Sequence, residues 1–243
     1  MIINKKFKIG IIGLGYVGLP LAVAFGKKIN TIGYDLKKDR IKRLKLFIDD
    51  TKEVSKKEVK QSKYLKFTND LKYLEDCNIY IVTVPTPINK NYTPDLKFLK
   101  KASYQISKII KKKDLVIFES TVYPGITEKL CGKIISENSK LILNKDYFLG
   151  YSPERINPGD KKHTITKITK IISGSNSKAL RMCEDLYGKI LNLKTYKTPS
   201  IEVAEAAKVI ENTQRDINIA FMNELSVIFD KLNINTNEVL NAA

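Results

Sequence analysis

Short apolar runs alternate with amphipathic stretches from Lys8 to about residue 198. Uninterrupted apolar runs predict strands buried on both faces, and apolar positions three and four apart predict helices. The first run opens at Lys8 and leads through a glycine-rich turn into a helix beginning Leu19-Pro20-Leu21-Ala22. A second strand is predicted over Asn30–Asp35, a helix over Asp39–Phe47, and a polar loop with one short helix over Ile48–Ser62. Further strands follow at Tyr64–Thr68, Cys77–Val84, Leu115–Glu119, Tyr147–Tyr151, Thr169–Gly174 and Leu193–Tyr196. The intervening helices are Leu96–Lys111, Gly125–Asn138 and Ser177–Lys189, with a long polar loop across residues 152–166. Strand and helix signals alternating along the chain predict a doubly wound, Rossmann-like α/β domain with a parallel sheet over residues 1–198.

From Pro199 the pattern changes. Ser200 suits a helix N-cap, with Glu202 and Glu205 in the first turns. Val203, Ala206, Ala207, Ile210, Ile217, Ala220, Phe221 and Leu225 then recur at helical spacing over roughly thirty residues. A helix of that length exceeds the usual globular range, so residues 199–243 are expected to leave the first domain and pack elsewhere.

The turn after the first strand carries candidate chemistry. Gly13, Gly15 and Gly18 fill the pattern G-x-G-x-x-G between a strand and a helix. In a dinucleotide fold the first glycine makes the turn, the second admits the pyrophosphate, and the third lets helix and strand approach. Asp35 ends the second strand 22 positions after Gly13, where a carboxylate meets the ribose hydroxyls. An acid there repels a ribose phosphate, which favours NAD over NADP.

Composition changes the picture little. The chain has 243 residues, 43% of them hydrophobic, enough for one large domain or one domain and part of another. No run approaches a membrane span and the first residues lack a signal-peptide pattern, so a soluble cytoplasmic protein is the expectation. A net charge of +17 suggests nucleic acid at first sight. The lysines are spread along amphipathic stretches, however, and the densest run, Lys111-Lys112-Lys113, ends a predicted helix where cations suit the dipole. No nucleic-acid partner is expected. Cys77, Cys131 and Cys183 lack metal or redox spacing and read as buried small side chains; no metal site is expected.

Ligands of such sheets bind beyond the carboxyl ends of the strands. The loops there read Pro85-Thr86-Pro87, Ser120-Thr121-Val122-Tyr123-Pro124-Gly125 and Ser152-Pro153-Glu154-Arg155-Ile156-Asn157-Pro158-Gly159-Asp160. His163, the single histidine, stands among lysines and reads as a solvated side chain. On the long helix, Lys208 and Asn212 are four apart and share a face.

Taken in order, these segments resemble the nucleotide-sugar 6-dehydrogenases, the UDP-glucose/GDP-mannose dehydrogenase family. The matching stretches are Gly13-Leu14-Gly15-Tyr16-Val17-Gly18-Leu19-Pro20, Val84-Pro85-Thr86-Pro87, Glu119 to Gly125, Tyr151-Ser152-Pro153-Glu154-Arg155, and Ala204-Glu205-Ala206-Ala207-Lys208 through Asn212. The Ser152–Asp160 wording is similar to the bacterial UDP-N-acetylhexosamine branch serving capsule, Vi-type and O-antigen polysaccharides. UDP-glucose members usually carry Phe where this chain has Arg155, and an acid where it has Pro158. The resemblance implies two-step, NAD-dependent oxidation of a sugar C6 alcohol to a carboxylate. It implies that Gly13, Gly15, Tyr16, Val17, Gly18, Asp35, Arg40, Pro85, Thr86 and Thr121 surround NAD. Thr121 and Glu154 would order a catalytic water and serve thioester hydrolysis, Lys208 and Asn212 would stabilise oxygen charge at C6, and Glu154, Arg155, Lys208 and Asn212 would line the UDP-sugar site. Residues 199–243 would begin a helical domain forming a homodimer.

The family's second oxidation needs a cysteine in a Gly-Gly-x-Cys loop past the long helix, and none of the three cysteines has that context. The chain is therefore expected to be inactive alone, lacking that loop and a UDP-binding domain. Other readings remain open: a non-catalytic NAD-binding and dimerisation module, a UDP-glucose or UDP-N-acetylmannosamine dehydrogenase, a relative of the 3-hydroxyacid dehydrogenases, or a basic nucleic-acid binder.

Overall fold

The computed structural model describes residues 7–155 and 169–243. Eight strands form one sheet: β1 Lys8–Ile12, β2 Asn30–Tyr34, β3 Leu65–Thr68, β4 Ile79–Val82, β5 Leu115–Phe118, β6 Phe148–Tyr151, β7 Ile171–Gly174 and β8 Tyr196–Lys197. Their order is β3-β2-β1-β4-β5-β6-β7-β8, so the winding reverses between β1 and β4. The helices are α1 Gly18–Gly26, α2 Lys38–Lys45, α3 Lys56–Gln61, α4 Lys97–Ser107, α5 Lys133–Ser139, α6 Ser177–Tyr187, α7 Ile201–Lys231 and α8 Thr236–Ala242.

The uninterrupted apolar runs have a direct cause. In β4, Ile79 and Ile81 face one core while Tyr80 and Val82 face the other; in β5, Leu115 and Ile117 oppose Val116 and Phe118 in the same way. With helices on both sheet faces, neither set of alternate positions meets water. The parallel register pairs Ile12 with Tyr34 and Val82, Val82 with Phe118, and Phe118 with Tyr151. This row ends the sheet, and every loop singled out from the sequence leaves from it.

Three details differ from the sequence expectation. The sheet is not parallel throughout: β7 runs antiparallel to β6, with Gly150 opposite Gly174 and Tyr151 opposite Ser173. A parallel neighbour needs a crossover that is usually helical, whereas a polar loop returns the chain alongside the strand it has just left. That loop (and with it Asn157, Pro158, Gly159, Asp160 and His163) lies largely outside the described residues. The helix after β5 opens as a wide π-type turn, Ile126–Gly132, behind Gly125 at φ 94°. The last strand is shifted to Tyr196–Lys197.

The long helix is present, capped by the Ser200 side chain on the Val203 amide at 3.2 Å. Only its start is buried, through Ile201, Ala204, Glu205 and Lys208, the positions that face the sheet. Beyond them Ile210, Ile217 and Phe221 are exposed.

Candidate active site

The glycine turn is built as its spacing demands. Gly13 has φ 98°, its amide donates to the Tyr34 carbonyl at 2.9 Å, and an added Cβ would meet the Thr83 backbone at 3.1 Å. A Cβ at Gly18 would lie 1.9 Å from the Gly13 carbonyl oxygen and 2.4 Å from Thr83 Oγ1. A Cβ at Gly15 would meet nothing within 4 Å, so this glycine faces open space. Thr83 Oγ1 donates to the Gly13 carbonyl at 2.7 Å and ties the turn to β4. The N-terminus of α1 has no side-chain cap and no acid in its first turn, which leaves its amide end available to an anion. Tyr16 is exposed beside it and Val17 is half-buried.

Asp35 and Arg40 grip the backbone N–H and C=O of one residue, Leu14. The Leu14 amide donates to Asp35 Oδ2 at 2.9 Å, and Asp35 Oδ1 accepts from the Lys37 amide at 2.9 Å. Arg40 Nε and Nη2 donate to the Leu14 carbonyl at 3.0 and 2.9 Å. Arg40 therefore braces the turn from behind.

Across the switch point, the loops after β4 and β5 are joined. Thr86 Oγ1 donates to the Thr121 carbonyl at 2.6 Å, and Ser120 Oγ donates to the Val84 carbonyl at 2.5 Å. Pro85 and the side chain of Thr121 are exposed at this edge. The next link is ionic. Glu119, fully buried at the end of β5, accepts from Lys170 Nζ at 3.0 Å and from the Tyr187 hydroxyl on α6. The same ammonium lies 3.7 Å from Glu154 Oε2, beyond β6. Burial pulls the Lys170 pKa down, but Glu119 and Glu154 outweigh it and hold the ammonium above its ordinary value. The antiparallel course of β7 matters here, because it brings the start of that strand, and Lys170, to the edge where the parallel strands end.

The path continues onto α7. Arg155 Nε meets Glu211 Oε1 at 3.3 Å, Lys208 Nζ meets Glu211 Oε2 at 3.4 Å, and Arg215 approaches Glu211 at 3.7 Å. Burial holds Lys208 below the ordinary lysine range, with Glu211 pulling the other way. Asn212 follows one turn later, half-buried. Glu205 sets the register of this helix: its carboxylate accepts the Gly125 and Thr127 amides at 2.6 and 2.9 Å, filling the N-terminus of the helix after β5.

Residues 7–191 match the NAD binding domain of the UDP-glucose/GDP-mannose dehydrogenase family, and residues 202–243 match its central domain. The chain belongs to this family. It is 53% identical over 238 residues to a UDP-N-acetyl-D-glucosamine 6-dehydrogenase of Salmonella typhi, covering 98% of this chain and 56% of that protein. It is 51% identical over 235 residues to Protein CapL of Staphylococcus aureus, covering 97% and 55%. The structure of a UDP-D-ManNAc dehydrogenase from Pyrococcus horikoshii superposes with a TM-score of 0.89 at 31% identity, over 98% of this chain and 57% of that one. The chain spans a little over half the length of these relatives.

The residues present fit the family's NAD. The turn offers open space at Gly15, an uncapped helix end for the pyrophosphate and a carboxylate at Asp35 for a ribose. The cysteines do not fit the family's thiol role. Cys77, Cys131 and Cys183 are all buried, and burial pushes their thiols up to about 12, 11 and 12. A nucleophile needs a thiolate within reach of substrate. Among the described residues no group of side chains has the makings of a metal site.

Several residues of this edge escaped the sequence reading. Thr83 was signalled by being the one aliphatic hydroxyl in the run Ile79–Val84, and Lys170 by abutting the apolar Ile171-Ile172. Glu211 stands three positions after Lys208, at ion-pair spacing. Asp49 carried no local signal.

Proposed function

We propose that this chain supplies the NAD-binding part of an enzyme that oxidises the C6 alcohol of a UDP-N-acetylhexosamine to the uronic acid, for surface polysaccharide synthesis. The observation that carries the reading is the series of polar contacts along one end of the sheet, from the glycine turn and Thr83, through the Thr86–Thr121 contact and the Glu119–Lys170–Glu154 group, to Arg155, Glu211 and Lys208. It gathers on one sheet edge residues that four loops, the approach to β7 and α7 contribute. The names of the Salmonella typhi and Pyrococcus horikoshii relatives support the amino-sugar class.

In this reading Gly13, Gly15, Tyr16, Val17, Gly18, Asp35, Arg40, Pro85, Thr86 and Thr121 hold NAD, which when bound supplies the hydride acceptor. Lys208, with Asn212 on the same helical face, stabilises negative charge at the C6 oxygen; a partly desolvated ammonium does this better than one in water. Glu154 and Thr121 order a water, and Arg155 faces the sugar nucleotide. The buried state of the three cysteines favours a second reading for the chain by itself, a non-catalytic NAD module, with thiol chemistry assigned to residues outside these 243. Residues 1–198 form the NAD domain and residues 199–243 the start of a dimerisation domain. Ile210, Ile217 and Phe221 offer the apolar contact for a homodimer in the cytoplasm.

Saturation-transfer NMR tests the sugar class. With NAD present, UDP-N-acetylglucosamine is expected to receive saturation at its C6 and N-acetyl protons, and UDP-glucose and GDP-mannose less. Equal transfer to all three, or none to the amino sugar, contradicts the assignment.

A further inference from the structure

We infer that Asp49, far from every recognised motif, is a cofactor-discriminating residue: it withholds Arg40 from the 2′-phosphate of NADP. This rests on the reading of the glycine turn as a dinucleotide site. In sheets of this type, an arginine near the ribose acid is the group that accommodates a 2′-phosphate. Arg40 stands in that position, because it holds the C=O of Leu14 and Asp35 holds the N–H of the same residue. The ribose that Asp35 receives is thus within the swing of the Arg40 side chain.

Arg40 is not available: the Leu14 carbonyl takes two of its donors, and Asp49 supplies the charge that holds it. Asp49 Oδ1 takes Arg40 Nη2 at 2.7 Å, with the two side chains 1% and 9% exposed. Asp49 is itself fixed by the amides of Thr51, Glu53 and Val54 at 3.0, 2.9 and 3.1 Å and by the Thr51 hydroxyl at 2.7 Å. Burial pushes its carboxyl up, but these hydrogen bonds and the one from Arg40 outweigh it and hold it below the usual carboxylate range. A buried, ionised, four-fold anchored carboxylate cancels the guanidinium charge at its root.

One edge of Arg40 is left over. Nη1 is buried with no hydrogen-bond partner. Asp50 lies 3.9 Å from it and is engaged by Arg43 Nε at 2.6 Å. Arg40 thus has a donor that only a movement of its side chain would bring to a ligand, and Asp49 holds its charge and direction. The site rejects a 2′-phosphate twice, by the Asp35 charge and by the restraint on Arg40.

The test titrates NADH and NADPH into the full chain carrying Asp35→Asn, alone and with Asp49→Asn, with melting temperatures taken on each variant. Adding Asp49→Asn is expected to raise NADPH affinity about tenfold, the scale of one new charge-assisted hydrogen bond, with NADH changed far less. A third substitution, Arg40→Met, removes that gain. Asp49→Ser, which keeps an acceptor for the loop amides without the charge, gives the same change in ratio and guards against a folding defect in Asp49→Asn. An unchanged NADPH-to-NADH ratio, a proportional loss of both, or a gain that survives Arg40→Met overturns the proposal. Absence of NADH binding by the unsubstituted chain instead overturns the dinucleotide reading beneath it.

Discussion

Gly15→Ala is expected to leave the fold intact and weaken dinucleotide binding at least about a hundredfold, whereas Gly18→Ala weakens both the fold and the binding. The two glycines stand three residues apart in one turn, yet they are glycine for different reasons. At Gly15 an added methyl meets nothing within 4 Å, and φ is not in the left-handed region, so the free protein tolerates it. Stability should change by no more than about 0.5 kcal/mol. The methyl enters the open space through which a pyrophosphate approaches the turn, and NADH affinity should fall at least about a hundredfold, roughly 2.7 kcal/mol. At Gly18 the methyl lies 1.9 Å from the Gly13 carbonyl oxygen, a backbone atom of the tight turn. The start of α1 must move away from β1, at a cost of about 1–3 kcal/mol or more. Urea melts paired with NADH titrations separate the two; equal loss of stability in both variants contradicts the distinction.

Lys170→Met is expected to be among the most destabilising single substitutions in the chain. Lys170 and Glu119 have side chains 5% and 0% exposed, and removing the cation strands a carboxylate in the core with only the Tyr187 hydroxyl and a nearby Glu154. Breaking a buried pair from one side costs about 3–5 kcal/mol. The double variant Lys170→Met/Glu119→Gln should recover more than half of that loss, because a neutral pair no longer carries an unpaired charge. Denaturant unfolding of the two variants decides it: a loss under about 1 kcal/mol for Lys170→Met means the pair is not a structural tie.

The legible and illegible parts of this molecule divide by the range of the forces involved. The glycine turn could be read because each requirement is local, a left-handed φ at Gly13 and a helix packed against its own strand at Gly18. The inner strands could be read because burial on two faces leaves a plain apolar run, as in Ile79–Val82. The reversed direction of β7 could not, since it depends on how a polar loop returns to β6. Lys170 looked like one more lysine in a lysine-rich chain until that reversal carried it between Glu119 and Glu154. Helical spacing put Lys208 and Asn212 on one face of the long helix and said nothing of what that face meets. Their setting is made by Glu205, whose carboxylate finds the Gly125 and Thr127 amides across nearly eighty residues of sequence. Asp49 belongs with these, joined to the turn only through Arg40.

The most direct measurement is a calorimetric titration of NADH and NADPH into the unsubstituted chain. Saturable heat from NADH at one equivalent per chain, with NADPH markedly weaker, is the result the geometry of Gly15, Asp35 and the Arg40–Asp49 pair predicts. No saturable NADH binding, or equal affinity for the two, contradicts it.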